Sequence, residues 1–314
     1  MNTIARIEID WPSLGLTVTA DLDDRNAQLA QALLDVLPYR SLQGHALVAG
    51  YYLYHVTPVH SVFHLPTPHR ADRRTLPDGT LFCSRLQHFG IKYGTLTEPM
   101  PATPIGQVDP ADLDTLAEAG RAAWDSVYSS KKPVIAEVRH AGRPGGHNLP
   151  RLTATDPIAD QLIADVHTET TRAWLEPPTE LLDLHDGRIR SGAGSYGTTM
   201  TTMLFVNGES RPLGYSVYGG LIKAASEQLP MDALRHMARI LAGTPGEFLA
   251  YCGLETLGHF TARLLACLDR LDNRDDFIAV MAHMALYVHC LGGWNLQLFP
   301  WHLGEHLRTQ PEPR

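Results

Sequence analysis

Residues Phe277 to Trp294 run for eighteen positions without an Asp, Glu, Lys or Arg, and such a segment has to be buried. Its length just reaches that of a membrane span. His283 and His289 inside it, and Gly292-Gly293 near its end, argue instead for a helix at the centre of a helical bundle. Neighbouring segments fit that reading. Asp156 to Trp174 and Met231 to Leu241 read as helices. Phe248 to Leu271 reads as another, with Leu249, Leu254, Leu257, Phe260, Leu264 and Leu268 at helical spacing. Gly192 to Val206 and Gly214 to Ile222 are rich in Gly, Thr and Tyr, and are expected to form loops or short strands.

The front of the chain has a different period. Ile4, Ile7 and Ile9 begin a strand that breaks at Trp11-Pro12, and Leu16, Val18, Ala20 and Leu22 alternate as a second. Gly44 to Val56 suits a central strand, and Val134 to Val138 suits another. Two helices interrupt this pattern: Asn26 to Leu37, stopped by Pro38, and one started by Asp109 as N-cap with Pro110 at the first helical position. Ala141 to Pro150 is a Gly- and Pro-rich linker. The reading is an α+β chain, with a β-rich domain over 1–150 and a helical domain over 151–314.

Chemistry concentrates between Arg73 and Pro104. Two β-rich runs, punctuated by Asp78-Gly79, carry Arg73, Arg74, His88, Lys92 and Glu98. Alternation puts Leu86, His88, Gly90 and Lys92 on one face, with Gln87, Phe89, Ile91 and Tyr93 on the other. Glu98 precedes Pro99, which biases its backbone towards an extended conformation just past the strand. One acid, one imidazole and fixed cations within one cleft can bind an anionic substrate and move protons.

A net charge of −8 argues against a nucleic-acid partner but leaves room for an arginine-lined pocket. Cys83, Cys252, Cys267 and Cys290 form no C-x-x-C pair and are expected to be reduced and buried in a cytoplasmic protein. The first residues alternate like a strand and lack the apolar stretch of a signal peptide.

Other motifs carry less. Gly192-Ala-Gly194-Ser-Tyr-Gly197 spells a dinucleotide fingerprint without the strand and helix that it needs. Ser195 and Ser216 miss the nucleophile elbow, because Ala193 and Tyr218 replace its glycines. His302-Leu-Gly-Glu305-His306 fits an inverted zinc-peptidase signature, but no later helix follows to complete the site and Gly304 weakens its own helix. His55, His60, His64 and His69, in a proline-rich region, read as surface or loop residues rather than a metal cluster. Lys92 reads equally as edge protection of a strand, and Arg211 reads either as part of an anion clamp or as half of a turn salt bridge.

Several stretches resemble a known family. Trp174-Leu-Glu-Pro-Pro, Ser191-Gly-Ala-Gly, Val206-Asn-Gly-Glu-Ser-Arg-Pro-Leu-Gly-Tyr and Phe248-Leu-Ala-Tyr-Cys-Gly-Leu-Glu-Thr-Leu resemble the helical bundle of cucumopine synthase. The same architecture belongs to bacterial Pictet–Spenglerases of the marinacarboline type. The resemblance implies an N-terminal cyclophilin-like β-barrel domain followed by a C-terminal helical bundle, and a homodimer. It implies Glu98 as acid/base, His88 as a second catalytic group and Arg73 as substrate-binding residue, with Arg74 able to exchange roles with Arg73. The implied reaction joins tryptophan or a derivative to an aldehyde or 2-oxo acid, giving a β-carboline scaffold without cofactor or metal. A cucumopine synthase-like condensation of histidine with 2-oxoglutarate is the alternative enzyme. A cyclophilin-like protein that binds a small molecule or peptide without chemistry is the alternative of another class. The partners expected are therefore small amine and carbonyl compounds, with neither nucleic acid nor membrane.

Overall fold

The computed structural model describes residues 2–188 and 198–301. Nine strands form one antiparallel sheet: β1 (Thr3–Trp11), β2 (Leu16–Asp23), β3 (Tyr39–Leu42), β4 (Gly44–His45), β5 (Gly50–Val56), β7 (Thr80–Ser84), β8 (His88–Leu96), β10 (Pro104–Val108) and β11 (Ile135–His140). Their order is β3-β11-β1-β2-β10-β7-β8-β5-β4. A second, small sheet pairs β6 (Ala71–Asp72) with β9 (Pro101–Ala102).

The large sheet curls until it nearly closes into a barrel, and Gln43 ties its two ends. This buried residue donates its backbone N–H to Val134 O at 2.8 Å, and its amide to Tyr54 O at 2.9 Å. Its Oε1 accepts from Trp11 Nε1 at 3.0 Å. Helices α1 (Ala27–Leu34) and α2 (Leu113–Asp125) fill the interior, burying Leu29 and Leu33 from one and Leu116, Ala119 and Ala123 from the other. Asp109 accepts from Ala111 N at 3.1 Å, the cap expected of an Asp-Pro start.

Beyond the linker the chain is helical: α3 (Pro157–Ala173), α4 (Thr179–His185), α5 (Thr198–Pro212), α6 (Gly219–Ser226), α7 (Met231–Tyr251), α8 (Glu255–Cys267) and α9 (Arg274–Leu298). Asp156 caps α3 by accepting from Ile158 N and Ala159 N, each at 3.0 Å. The charge-free segment lies in α9. That helix is long and apolar enough to cross a membrane, yet 83% of its apolar window is buried within the protein. It is the core helix of the bundle, and each of its fully buried large apolar side chains contributes about 1.5–3 kcal/mol.

Three expectations need correction. The described parts of 192–206 and 214–222 are helical: α5 and α6 are joined by a π-helical turn over Leu213–Tyr218. Their packing against α9 overrides weak helix propensity. The helix expected over Phe248 to Leu271 is two helices, because α7 continues to Tyr251 and Gly253, at φ +108°, turns the chain before α8. Finally, His55 and His60 are buried rather than superficial. His55 Nε2 lies 2.9 Å from the Tyr39 hydroxyl, and the His60 ring packs 4.6 Å from His283 of α9. All four cysteines are free and buried, as expected.

Burial pushes His55 down to about 3, His60 to about 4 and His289 to about 3, from the usual 6.5. Above pH 6.5 these imidazoles are neutral in both folded and unfolded chains. Below it the unfolded chain takes up protons that the folded one refuses, so stability falls towards pH 4 by about 1.4 kcal/mol per unit for each histidine. The midpoint of thermal unfolding is therefore expected to drop steeply from pH 7 to pH 5, and a flat midpoint over that range would contradict the burial of these rings.

Candidate active site

The outward face of the sheet at β5, β7 and β8 is not covered by apolar packing alone. Tyr52 and Tyr54 on β5, Phe82 and Ser84 on β7 and His88 on β8 line a cavity of about 790 Å³. Helix α5 and the π-turn after it close the other side with Asn207, Arg211, Tyr215 and Ser216. The expected alternation along β8 holds. Phe89 and Ile91 enter the main core, while His88, Gly90 and Lys92 share the opposite face.

Register makes this face specific. Gly90 sits opposite Tyr54 of β5 and Phe82 of β7. A Cβ at Gly90 would lie 1.9 Å from the Tyr52 hydroxyl, so only glycine lets the Tyr52 ring lie across the strand. Tyr52 in turn supports Arg73, whose guanidinium carbon lies 5.4 Å from the ring centroid. Next to it the His88 ring stacks on Tyr54 at 4.4 Å and 22°.

Arg73 and Glu98 stand on loops that the small sheet brings together. The pairs Ala71↔Ala102 and Asp72↔Pro101 close it, and Arg73 N donates to Met100 O at 3.4 Å. The Arg73 guanidinium then donates through Nη2 to Glu98 Oε2, and through Nε to Glu98 O at 3.3 Å. Arg73 is buried, with 11% of its side chain exposed, whereas 45% of the Glu98 side chain remains open to the cavity and solvent. A buried cation thus fixes an accessible carboxylate. Such a charge-assisted contact is stronger than a neutral one and sets the direction of the carboxylate.

The neighbouring charges separate cleanly. Arg74 faces outward and pairs with Asp72 at 2.6 Å, so of the two adjacent arginines Arg73 is the one on the cavity. Lys92 does not guard an edge, because β8 is flanked by β7 and β5. It is buried, donating to Leu76 O at 2.6 Å and Asp78 at 2.8 Å. Arg211 is in a helix, not a turn, and makes no ion pair among the described residues. The sequence did place it beside other polar residues, but only the fold aims it at His88.

His88 is held well below the usual histidine range, first by burial and then by its neighbours His289, Arg211 and His55, of which Arg211 carries a charge. It is a neutral imidazole at ordinary pH. Among the described residues no hydrogen bond links it to Glu98. Arg73, not His88, positions that carboxylate.

The described residues contain no group of three or more His, Cys, Asp or Glu side chains placed to hold a metal. The zinc-peptidase-like sequence at 302–306 and the glycine motif at 192–197 lie outside the described residues. What the arrangement offers is one accessible carboxylate, one neutral imidazole, several guanidinium groups and aromatic walls.

Comparison with known proteins gives two matches. The cucumopine synthase C-terminal helical bundle domain matches residues 159–298. Among solved structures, that of McbB in complex with tryptophan is 43% identical, covers 96% of this chain and 100% of its own, and superposes with a TM-score of 0.92. No curated protein matches the chain significantly.

The dependence of Tyr52 on Gly90 is testable against a second glycine. Gly90→Ala forces the buried Tyr52 ring to move and is expected to cost about 1–3 kcal/mol of stability. Gly208→Ala, on α5 with nothing within 4 Å of the new methyl, is expected to gain about 0.5–1 kcal/mol. Denaturant unfolding of both variants checks this, and equal stabilities would contradict the packing described.

Proposed function

The chain is an enzyme that belongs to the Pictet–Spenglerase and cucumopine synthase family, and from that premise we propose that it condenses tryptophan, or a tryptophan derivative, with an aldehyde or 2-oxo acid to close the ring of a β-carboline scaffold at the tetrahydro level. The observation that carries this reading is the Arg73–Glu98 pair on the wall of a cavity faced with aromatic rings. A cavity of about 790 Å³ is large enough for an indole amino acid together with a small carbonyl compound. That the 43% identical relative was solved with tryptophan supports the amine half of the proposal.

The chemistry assigns each group a task. The amine nitrogen attacks the carbonyl carbon, and loss of the hydroxyl as water leaves an iminium ion. In its acid form Glu98 donates the proton that this water needs. The indole carbon then attacks the iminium carbon, a C–C bond forms, and the ring proton must leave to restore aromaticity. Glu98, now a carboxylate, accepts it. Arg73 keeps that carboxylate in place and has Nη1 free of any contact with Glu98, available for a substrate carboxylate. His88, neutral and stacked on Tyr54, is suited to relay protons during dehydration of the carbinolamine. No step in this scheme transfers a hydride or a phosphoryl group, so a cofactor-independent reaction is part of the proposal.

The cucumopine-like alternative uses the same site but a histidine amine. Tyr52, Tyr54, Phe82 and Trp301 around the cavity favour the larger indole. Incubating the purified protein with each amine and a panel of aldehydes and 2-oxo acids, and reading product masses, separates the two.

Removing the acid/base group is expected to lower kcat by about 10²–10⁴. Glu98→Gln is predicted to do so while the protein stays folded, because its amide can still accept from Arg73 and its side chain is 45% exposed. Arg74→Gln, which touches only Asp72 on the surface, should retain activity. Near-wild-type turnover by Glu98→Gln would remove Glu98 from the mechanism.

A further inference from the structure

The cavity carries more positive charge than the Arg73–Glu98 pair explains. Four arginines line it (Arg70, Arg73, Arg85 and Arg211) against one carboxylate, Glu98. Arg70 rests on Thr67 Oγ1 at 3.0 Å, and Arg73 gives Nε and Nη2 to Glu98. Arg85, on the turn between β7 and β8, has a buried Nε without a partner. Arg211 reaches in from the helical side with no hydrogen bond or ion pair among the described residues.

The position of Arg211 is set by its helix. Asn207, one turn earlier on α5, lines the same cavity, as the i, i+4 spacing requires. Glu209, two residues before Arg211, belongs to another face of the helix, is absent from the cavity wall and acts on Cys252 instead. The nearest acid in sequence therefore leaves Arg211 unneutralised. Its charge is among the causes that keep His88 and His289 neutral, which puts the guanidinium close to the Tyr54–His88 stack. A guanidinium beside an amide, both facing a cavity and both without a hydrogen bond among the described residues, fits a carboxylate: the fork supplies parallel donors and the amide a further one.

We propose that Arg211, with Asn207 beside it, binds the α-carboxylate of the amino-acid substrate, so that the enzyme selects an α-amino acid over the corresponding decarboxylated amine. This rests on the ring closure proposed above. In the six-membered ring formed there, the carbon contributed by the carbonyl partner is bonded to the carbon that loses its proton to Glu98. The carbon bearing the amino-acid carboxylate lies directly across the ring from it. A clamp next to Glu98, which is Arg73, therefore meets the substituent of the carbonyl partner. The clamp for the amino-acid carboxylate belongs on the facing wall, where Arg211 stands.

Calorimetric titration of L-tryptophan and of tryptamine into wild-type protein, Arg211→Gln and Asn207→Ala tests this without turnover. Wild type is expected to bind tryptophan more tightly than tryptamine. Arg211→Gln should lose tryptophan affinity by about 10- to 100-fold while its tryptamine affinity stays unchanged, which erases the preference. Asn207→Ala should show a smaller loss of the same kind, and Arg211→Lys should recover part of it. Unchanged tryptophan affinity in Arg211→Gln, or an equal loss for both ligands, overturns the clamp while leaving the ring-closure reading intact. A wild-type protein that binds neither ligand overturns both.

Discussion

Burial of α9 is the constraint from which the rest follows. A helix without charge along most of its length must be surrounded, and several of the polar groups it takes inside find partners there. Asp276, near its start, accepts from Thr155 N at 2.8 Å and Asp156 N at 3.0 Å, which holds the chain as it enters α3. His283 Nε2 accepts from Leu152 N at 3.0 Å, in the stretch between the linker and α3. His289 Nδ1 donates to Gln87 Oε1 at 2.9 Å, in the turn between β7 and β8. Gln297 donates to Ser126 O at 3.0 Å, at the end of α2. One helix therefore grips the stretch that leads into α3, the turn between β7 and β8, and the end of α2.

That grip has a consequence for the cavity. The turn held by His289 begins β8, whose first residue is His88. The helices packed on α9 include α5, which carries Arg211. Both walls are thus referred to the same core element, and groups from distant parts of the chain keep a fixed separation. Such pre-organisation is what a reaction between two bound partners requires, since a near-attack geometry has to be held while bonds change. Gly214 belongs to this arrangement: a Cβ there would meet His289 Nε2 at 2.3 Å, so α9 can approach the π-turn only over a glycine.

Sequence alone made much of this legible, and the failures have a common cause. Period-two alternation along β8, the cap at Asp109 and the charge-free run of α9 are local signals, and each appears in the structure as read. The region around α5 and α6 was misread because Gly, Thr and Tyr are poor helix formers in isolation. Packing on α9 decided their state, and packing is not local. His55 and His60 were misread for a related reason. Nearby prolines indicate an irregular path, but not whether that path runs through the core. Arg73, Glu98 and His88 could be singled out as residue types within one segment, yet the contact of Arg73 with Glu98 depends on the two-residue strands β6 and β9, too short to carry a pattern. For Arg211 the sequence leaves an anion clamp and a turn salt bridge equally open, and only the fold, by placing it in a helix on the cavity wall, separates them.

The central claim is that Glu98, fixed by Arg73, removes the indole proton during ring closure. The most direct measurement uses tryptophan deuterated at that ring carbon, with turnover compared for wild-type protein and Glu98→Asp, whose carboxylate is drawn back by one methylene. The account predicts slower turnover in the variant, together with a primary isotope effect larger than that of wild type, because removal of this proton becomes limiting. Slowed turnover with no isotope effect would contradict it and assign the proton to another base.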